Sequence, residues 1–164
     1  MKIAIAGYGI EGEENYAYWS ADPANAITIV DEKEVPGKPL PEGVATLLGP
    51  GVFEQLNGFD LVIRTASLPP RNIKTDGKVW SATNEFFAKC PAKIIGITGT
   101  KGKGTTSSII AALFEAAGRK VWLVGNIGIA AISILDRIQP DDVVVVEMSS
   151  FQLWDIEKSP HTAV

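Results

Sequence analysis

The sequence I-I-G-I-T-G-T-K-G-K-G-T-T-S-S, at residues 94–108, contains segments of different character in close succession. Residues 94–97 form an apolar run, and glycines at positions 99, 102 and 104 make the next segment a loop. From residue 109 to residue 117, apolar side chains recur at helical spacing. This order predicts a β-strand, a glycine loop and an α-helix.

A loop of this composition is suited to binding phosphate. Glycines let backbone N–H groups turn toward phosphate oxygens, the start of a helix adds unpaired amides, and Lys103 adds a mobile positive charge. Thr105, in the first helical turn, can offer its hydroxyl to Mg²⁺. The residues predicted to hold the phosphates are Gly99, Thr100, Lys101, Gly102, Lys103, Gly104, Thr105 and Thr106.

The loop departs from the strict pattern G-x-x-x-x-G-K-[ST]. Ile97 stands where the first glycine of that pattern belongs, and Gly104 follows Lys103 where a serine or threonine is usual. A glycine-rich turn that binds no ligand is therefore the alternative interpretation.

Composition excludes several classes of function. The chain has 164 residues, a net charge of −4 and one cysteine and one histidine, Cys90 and His161. An acidic chain is a poor general binder of nucleic acid, and these two residues cannot form a disulfide or a zinc cluster. No apolar run approaches the roughly 18 residues of a membrane span, and no signal-peptide core is visible, so we expect no membrane association and a cytoplasmic location.

The first residues repeat the strand–loop–helix order. A strand at 2–6 precedes G-Y-G-I-E-G at 7–12, a helix is predicted at 13–19, and a second strand at 26–30 ends in Asp31. This is the layout of a dinucleotide-type βαβ unit, in which Asp31 stands where a contact to the ribose or base arises. Because Glu11, Glu13 and Glu14 would repel a diphosphate, we expect its binding here to be weaker or differently placed. A turn used only for packing is the alternative.

The rest of the chain continues the α/β pattern. Strands are predicted at 44–48, 60–64, 120–124 and 142–148, helices at 81–87 and 131–138, and an extended path after the two prolines at 69 and 70. Glu147 closes the most apolar strand, at the strand end where α/β sheets bind ligands, so it is predicted to hold Mg²⁺. A solvated charge at a strand end is the alternative for Glu147.

These elements predict an α/β protein with two domains. Residues 1–91 are expected to form a Rossmann-like domain, and residues 92–164 are expected to form the first part of a parallel α/β ATPase domain of the P-loop type.

Three motifs in fixed order, T-G-T-K-G-K-G-T-T, G-N-I-G and E-M-S-S-F-Q-L, resemble those of the Mur ligase family, and S-S-F-Q is similar to the branch that adds D-glutamate. The resemblance implies an ATP- and Mg²⁺-dependent acid–amino-acid ligase of cytoplasmic peptidoglycan precursor synthesis. Its substrates would be UDP-N-acetylmuramoyl-L-alanine and D-glutamate, joined through an acyl phosphate.

The resemblance also assigns roles to residues. Lys103 and Glu147 would be catalytic, and Thr105 and Glu147 would hold Mg²⁺. The positions that would contact the UDP-linked substrate are Ile10, Glu11, Asp31, Thr65, Ser67, Asn126 and Ser149. Residues 65–68 read T-A-S-L where the family usually has S-P-G-I, so the diphosphate contact at this loop departs from the family pattern.

Family members continue beyond the motifs found here, with a histidine-bearing loop, a carbamylated lysine and a C-terminal domain. We therefore expect these 164 residues to be an N-terminal part, monomeric and inactive alone, whose D-glutamate site lies elsewhere. A nucleotide-binding regulatory module without catalysis, another Mur ligase and a folylpolyglutamate-type ligase are the alternative functions.

Overall fold

The computed structural model describes all 164 residues, which divide into two compact units, Met1–Ala82 and Thr83–Val164. Each unit contains one sheet in which every strand pairing is parallel, so the α/β prediction is confirmed. The elements of the first unit are β1 (Lys2–Ala6), α1 (Ile10–Ser20), β2 (Ala26–Asp31), β3 (Ala45–Leu48), β4 (Leu61–Arg64) and β5 (Lys78–Ser81). Those that follow are α2 (Ala82–Lys89), β6 (Lys93–Ile97), α3 (Lys103–Ala116), β7 (Val121–Gly125), β8 (Val143–Glu147) and β9 (Thr162–Ala163).

The sheet of the first unit has the strand order β3-β2-β1-β4-β5, as expected of a Rossmann-like unit. Residues 3–6 of β1 are completely buried, because the central strand of a parallel sheet is covered on both faces. From β1 the chain builds outward to β2 and β3, and it then returns to the other side of β1 as β4. The switch point between β1 and β4 is where sheets of this kind form a ligand crevice.

Glycines in the turn after β1 bring helix and strand together. A Cβ atom on Gly12 would lie 2.2 Å from the carbonyl oxygen of Gly7, so only glycine fits this point of α1. Gly9 precedes the helix and has open space around its Cα atom. The two glycines therefore differ in role, since Gly12 is required for packing and Gly9 leaves the mouth of the turn open.

Three segments differ from the sequence prediction. Pro70–Asn72 forms a 3₁₀ turn instead of an extended path, because the fixed φ of proline suits the first position of a helical turn. The strand β5 was not predicted, and it exists through its pairing with β4. The segment Ala131–Arg137 is a 3₁₀ helix, although Ile134 and Ile138 of its apolar stripe are buried as expected.

The sheet of the second unit has the order β7-β8-β6-β9. All five residues of β8 are buried. Helix α3 ends before Gly118, whose φ of +74° and N–H bond to the carbonyl of Glu115 confirm it as the predicted helix stop. Phe86 and Phe87 of α2 pack in the core of this unit, and the compact units divide after the first residue of α2. The functional division into residues 1–91 and 92–164 stays a prediction.

None of the three helices combines the length and the apolar character that crossing a membrane requires.

The packing of Gly12 yields a stability prediction. The substitution Gly12→Ala should lower the free energy of unfolding by about 2 kcal/mol or more, because the added methyl group collides with backbone that cannot move aside cheaply. Gly9→Ala is the matched control, and its effect should stay within about 1 kcal/mol. Urea unfolding of both variants checks this, and equal effects would contradict the packing role of Gly12.

Candidate functional site

The glycine loop of the second unit lies between β6 and α3 at the carboxyl edge of the sheet. Gly99 and Gly102 have φ values of +145° and +80°, which L side chains rarely adopt. Thr98 fixes the start of the loop, since its hydroxyl donates to the carbonyl oxygen of Met148 at 3.0 Å. The backbone of this loop is therefore shaped by glycine and held by the strand beside it.

Positive groups gather at the start of α3. The first hydrogen bond inside the helix runs from the N–H of Thr106 to the carbonyl oxygen of Gly102, which leaves the amides of residues 103–105 without an intrahelical acceptor. The Lys103 ammonium donates to the carbonyl oxygen of Gly99 at 2.9 Å, so its side chain folds back over the loop. Unpaired amides, a helix N-terminus and a lysine at one place can hold an anion.

Glu147 ends β8, next to the loop. Its residue is only 6% exposed, yet its carboxylate makes no hydrogen bond or ion pair within the protein. The backbone around it is fixed, because the Glu147 carbonyl accepts from the N–H of Asn126 at 3.1 Å and a Cβ on Gly125 would lie 2.1 Å from the same oxygen. A carboxylate without a partner in the protein, on a residue that is otherwise largely buried, is available to a cation.

The carboxylate of Glu147 points toward the first turn of α3. Its Oε2 atom lies 3.4 Å from the position that a Cβ atom on Gly104 would occupy. Thr105, the residue predicted to share a metal with Glu147, is exposed, and its role as a ligand stays a prediction. No group of three or more acidic, histidine or cysteine side chains is available to hold a metal. Glu147 and the start of α3 thus fit a cation such as Mg²⁺, whose remaining ligands would be phosphate oxygens and water.

Asn126 and Ser149 follow β7 and β8 at the same edge of the sheet. Asn126 is exposed, and Ser149 donates through its N–H and its hydroxyl to Oε1 of Gln152, at 2.8 and 3.2 Å. The sequence analysis gave Gln152 no role, although it belongs to the S-S-F-Q motif. Its side chain fixes the turn that presents Ser149.

The first unit has a cleft of about 460 Å³ at the switch point between β1 and β4. Sequence reasoning proposed five substrate-binding residues in this unit, and all of them line the cleft: Ile10, Glu11, Asp31, Thr65 and Ser67. The structure thus brings these residues together, and their contact with a substrate stays a prediction.

Asp31 joins two walls of the cleft. One carboxylate oxygen accepts from the N–H of Tyr8 at 2.7 Å, and the other accepts from the N–H of Lys33 at 2.9 Å. The glycine turn after β1 and the loop after β2 are therefore held by one side chain. Asp31 shapes the cleft as well as lining it.

Arg64 is a residue of the cleft region that the sequence analysis missed. It is completely buried at the end of β4, and its Nη1 atom donates to the carbonyl oxygens of Thr65, Ala66 and Leu68 at 3.3 to 3.5 Å. The guanidinium thereby fixes the shape of the loop at 65–68. An arginine closing a buried strand was the signal that could have identified it.

Glu11 contacts the same loop from the side of α1. Its Oε2 atom accepts from the N–H of Ala66 at 2.8 Å. Burial raises the pKa of the Glu11 carboxyl above its ordinary value, while the hydrogen bond from Ala66 and the charge of Arg64 act in the opposite direction. An acidic side chain thus lies where the loop faces the cleft.

Comparison with known proteins agrees with the geometry of the second unit. Residues 97–164, which begin at the end of β6 and include the glycine loop and Glu147, match the model of the Mur ligase middle domain. This segment is therefore similar to the middle domain of Mur ligases, and it lies within an α/β fold.

The relatives narrow the class further. The chain is 36% identical to the UDP-N-acetylmuramoylalanine--D-glutamate ligase of Acetivibrio thermocellus over 174 residues, and 34% identical to the enzyme of that name from Clostridium kluyveri over 175 residues. The enzyme of that name from Clostridium acetobutylicum is 36% identical over 176 residues. Each alignment covers 99% of this chain, and the chain spans 37% to 38% of the length of these relatives. The chain is a homologue of these ligases over that part of their length, which confirms the resemblance seen in its motifs.

Proposed function

We propose that this chain carries the UDP-substrate cleft and the ATP loop of a ligase that joins D-glutamate to UDP-N-acetylmuramoyl-L-alanine in the cytoplasm. The observation that carries the proposal is the carboxylate of Glu147, which has no partner in the protein and faces the start of α3. A binding module without chemistry has no need of a carboxylate placed to hold a cation beside a phosphate loop. The relatives' names supply the substrates of the proposed reaction.

In this proposal the second unit prepares ATP for transfer of its γ-phosphoryl group. Phosphoryl transfer asks a protein mainly for positioning and for neutralisation of charge. The amides of residues 103–105 and the Lys103 ammonium bind phosphate oxygens, and the carboxylate of Glu147 holds Mg²⁺ beside them. Bound Mg²⁺ neutralises charge on the phosphates. The substrate carboxylate attacks the γ-phosphorus with release of ADP, and the D-glutamate amine then displaces phosphate from the acyl phosphate.

The remaining predicted residues divide between the two units. Asp31 and the other cleft residues of the first unit form the site of the uridine nucleotide, and Asn126 and Ser149 contact the muramoyl-alanine part. Ser149 is suited to this, because Gln152 already holds its amide and leaves the hydroxyl oxygen able to accept a further bond.

Lys103 provides a direct test of the ATP loop. The substitution Lys103→Met should weaken ATP binding by tenfold or more, since hydrogen bonds to charged groups contribute about 1.5–3 kcal/mol. Lys93→Met is the matched control, because Lys93 lies at the opposite end of β6 and should not affect ATP. Calorimetric titration with ATP measures both variants, and equal affinities would show that the loop does not bind the nucleotide.

Position 104 sets the magnesium dependence of ATP binding. The variant Gly104→Ser would place a hydroxyl beside the Glu147 carboxylate, so the Mg²⁺ concentration that half-saturates ATP binding should fall severalfold. Gly104→Ala fills the same space without an oxygen ligand and should leave that concentration unchanged. Titrations of ATP binding against Mg²⁺ compare the two. If serine and alanine act alike, Glu147 does not hold the metal at this place.

Asp31 tests the cleft of the first unit. Asp31→Ala removes the acceptor that joins the walls of the cleft, so binding of UDP-N-acetylmuramoyl-L-alanine should weaken by about tenfold or more. Asp22→Ala, which removes a carboxylate from a surface turn, should bind as the wild type does. Calorimetry with the folded chain gives both affinities. An unchanged affinity in Asp31→Ala would place the UDP-linked substrate elsewhere.

A further inference from the structure

We infer that Glu11 is a specificity-determining residue of the first-unit cleft, where its carboxylate keeps phosphate away from the loop at 65–68. The inference rests on the proposal that this cleft binds the uridine nucleotide. It goes further by assigning recognition to the nucleoside and not to phosphate contacts at this loop.

Several backbone N–H groups of the cleft already have acceptors. Phosphate sites in α/β proteins use backbone N–H groups that have no other acceptor. Here the N–H of Ala66 donates to Glu11, and the N–H groups of Tyr8 and Lys33 donate to Asp31. The Leu68 N–H bonds to the carbonyl of Thr65, inside the loop. Carboxylates and the loop itself thus engage these four amides. The first hydrogen bond inside α1 runs from the N–H of Glu13 to the carbonyl oxygen of Gly9, so amides without an intrahelical acceptor remain at residues 10–12, beside Glu11 itself.

The positive side chain beside the loop at 65–68 is engaged by the loop itself. Arg64 is the positive group next to this loop, but its guanidinium is completely buried and donates to three loop carbonyls. The side chain therefore stabilises the loop from beneath. A phosphate in the cleft cannot reach it without breaking that arrangement.

The walls of the cleft carry more acidic than basic residues. The acidic residues Glu11, Asp31 and Glu32 line the cleft, and Lys33 is its basic residue. A phosphate placed near residues 65–68 would lie beside the carboxylate of Glu11, and two like charges at such a distance repel. The glycine loop of the second unit differs in charge, since the side chain of Lys103 folds over it, whereas the carboxylate of Glu11 lies at the loop of the first unit.

These observations define the effect of removing the charge at position 11. In Glu11→Gln the amide oxygen can still accept from the N–H of Ala66, so the loop keeps its anchor while the negative charge is lost. In Glu11→Gln, affinity for UDP should rise by tenfold or more while affinity for uridine stays the same.

The experiment is calorimetric titration of the full chain with uridine and with UDP, in the wild type, Glu11→Gln and Glu14→Gln. Glu14 is the matched control, because it lies on the same helix and does not line the cleft. Thermal unfolding of each variant establishes that it is folded. A tenfold rise in the UDP-to-uridine affinity ratio in Glu11→Gln alone would support the inference.

Two other outcomes separate the inference from the proposal beneath it. If all variants bind uridine and the ratio is the same in wild type and Glu11→Gln, Glu11 is only a structural anchor of the loop and the inference is wrong. If no folded variant binds uridine or UDP, the assignment of the cleft to a uridine nucleotide fails, and the inference fails with it.

Discussion

The parallel pairing of β6 with β8 places the glycine loop and its carboxylate at the same level of the sheet. Ile97, the last residue of β6, pairs with Glu147, the last residue of β8, and Gly125 of β7 pairs with Glu147 from the other side. A shift of one residue would move Glu147 to the other face of the sheet, away from Gly104. The four valines of β8 do not by themselves oppose such a shift, because both faces of that strand are covered and either face accepts a valine. The charged residues at the two ends of this run, Asp142 and Glu147, oppose it, since a shift would draw one of them into the covered part of the sheet.

The two units use acidic side chains in opposite ways. Glu147 is held by its backbone alone, and its carboxylate has no partner in the protein, which leaves it able to accept the cation proposed above. Asp31 and Glu11 have their carboxylates bonded to backbone amides, so they act as parts of the scaffold. An acidic residue is therefore a predicted metal ligand in the second unit and a structural hydrogen-bond acceptor in the first. The difference lies in whether an N–H donor is within reach.

Sequence reasoning predicted those parts of the fold that depend on neighbouring residues. The strand at 2–6 and the stop at Gly118 follow from an apolar run and from a glycine with positive φ. It missed β5, since four residues beginning with a lysine become a strand only by pairing with β4. It also gave no sign that Glu11 bonds to Ala66, because these residues are 55 positions apart and meet only after the sheet has formed. Residue type identified the candidate site residues, and tertiary contacts determined which of their side chains are bonded to the backbone.

Two residues stand where the charge of a ligand would be met: Gly104, which departs from the usual loop motif, and Glu11, which lies within the G-x-G-x-x-G turn. Gly104 removes a hydroxyl from the space beside Glu147, and Glu11 adds a carboxylate at a loop amide. Neither change disturbs packing, because Gly104 has room for a Cβ atom at ordinary contact distance and Glu11 satisfies an N–H group that would otherwise be unpaired. Core positions tolerate little change in volume. A change at position 11 or 104 instead alters the contacts that a phosphate or a cation makes, while the sheet stays intact. These two positions can therefore change the charge and the oxygen ligands that a bound nucleotide meets without a cost to the core.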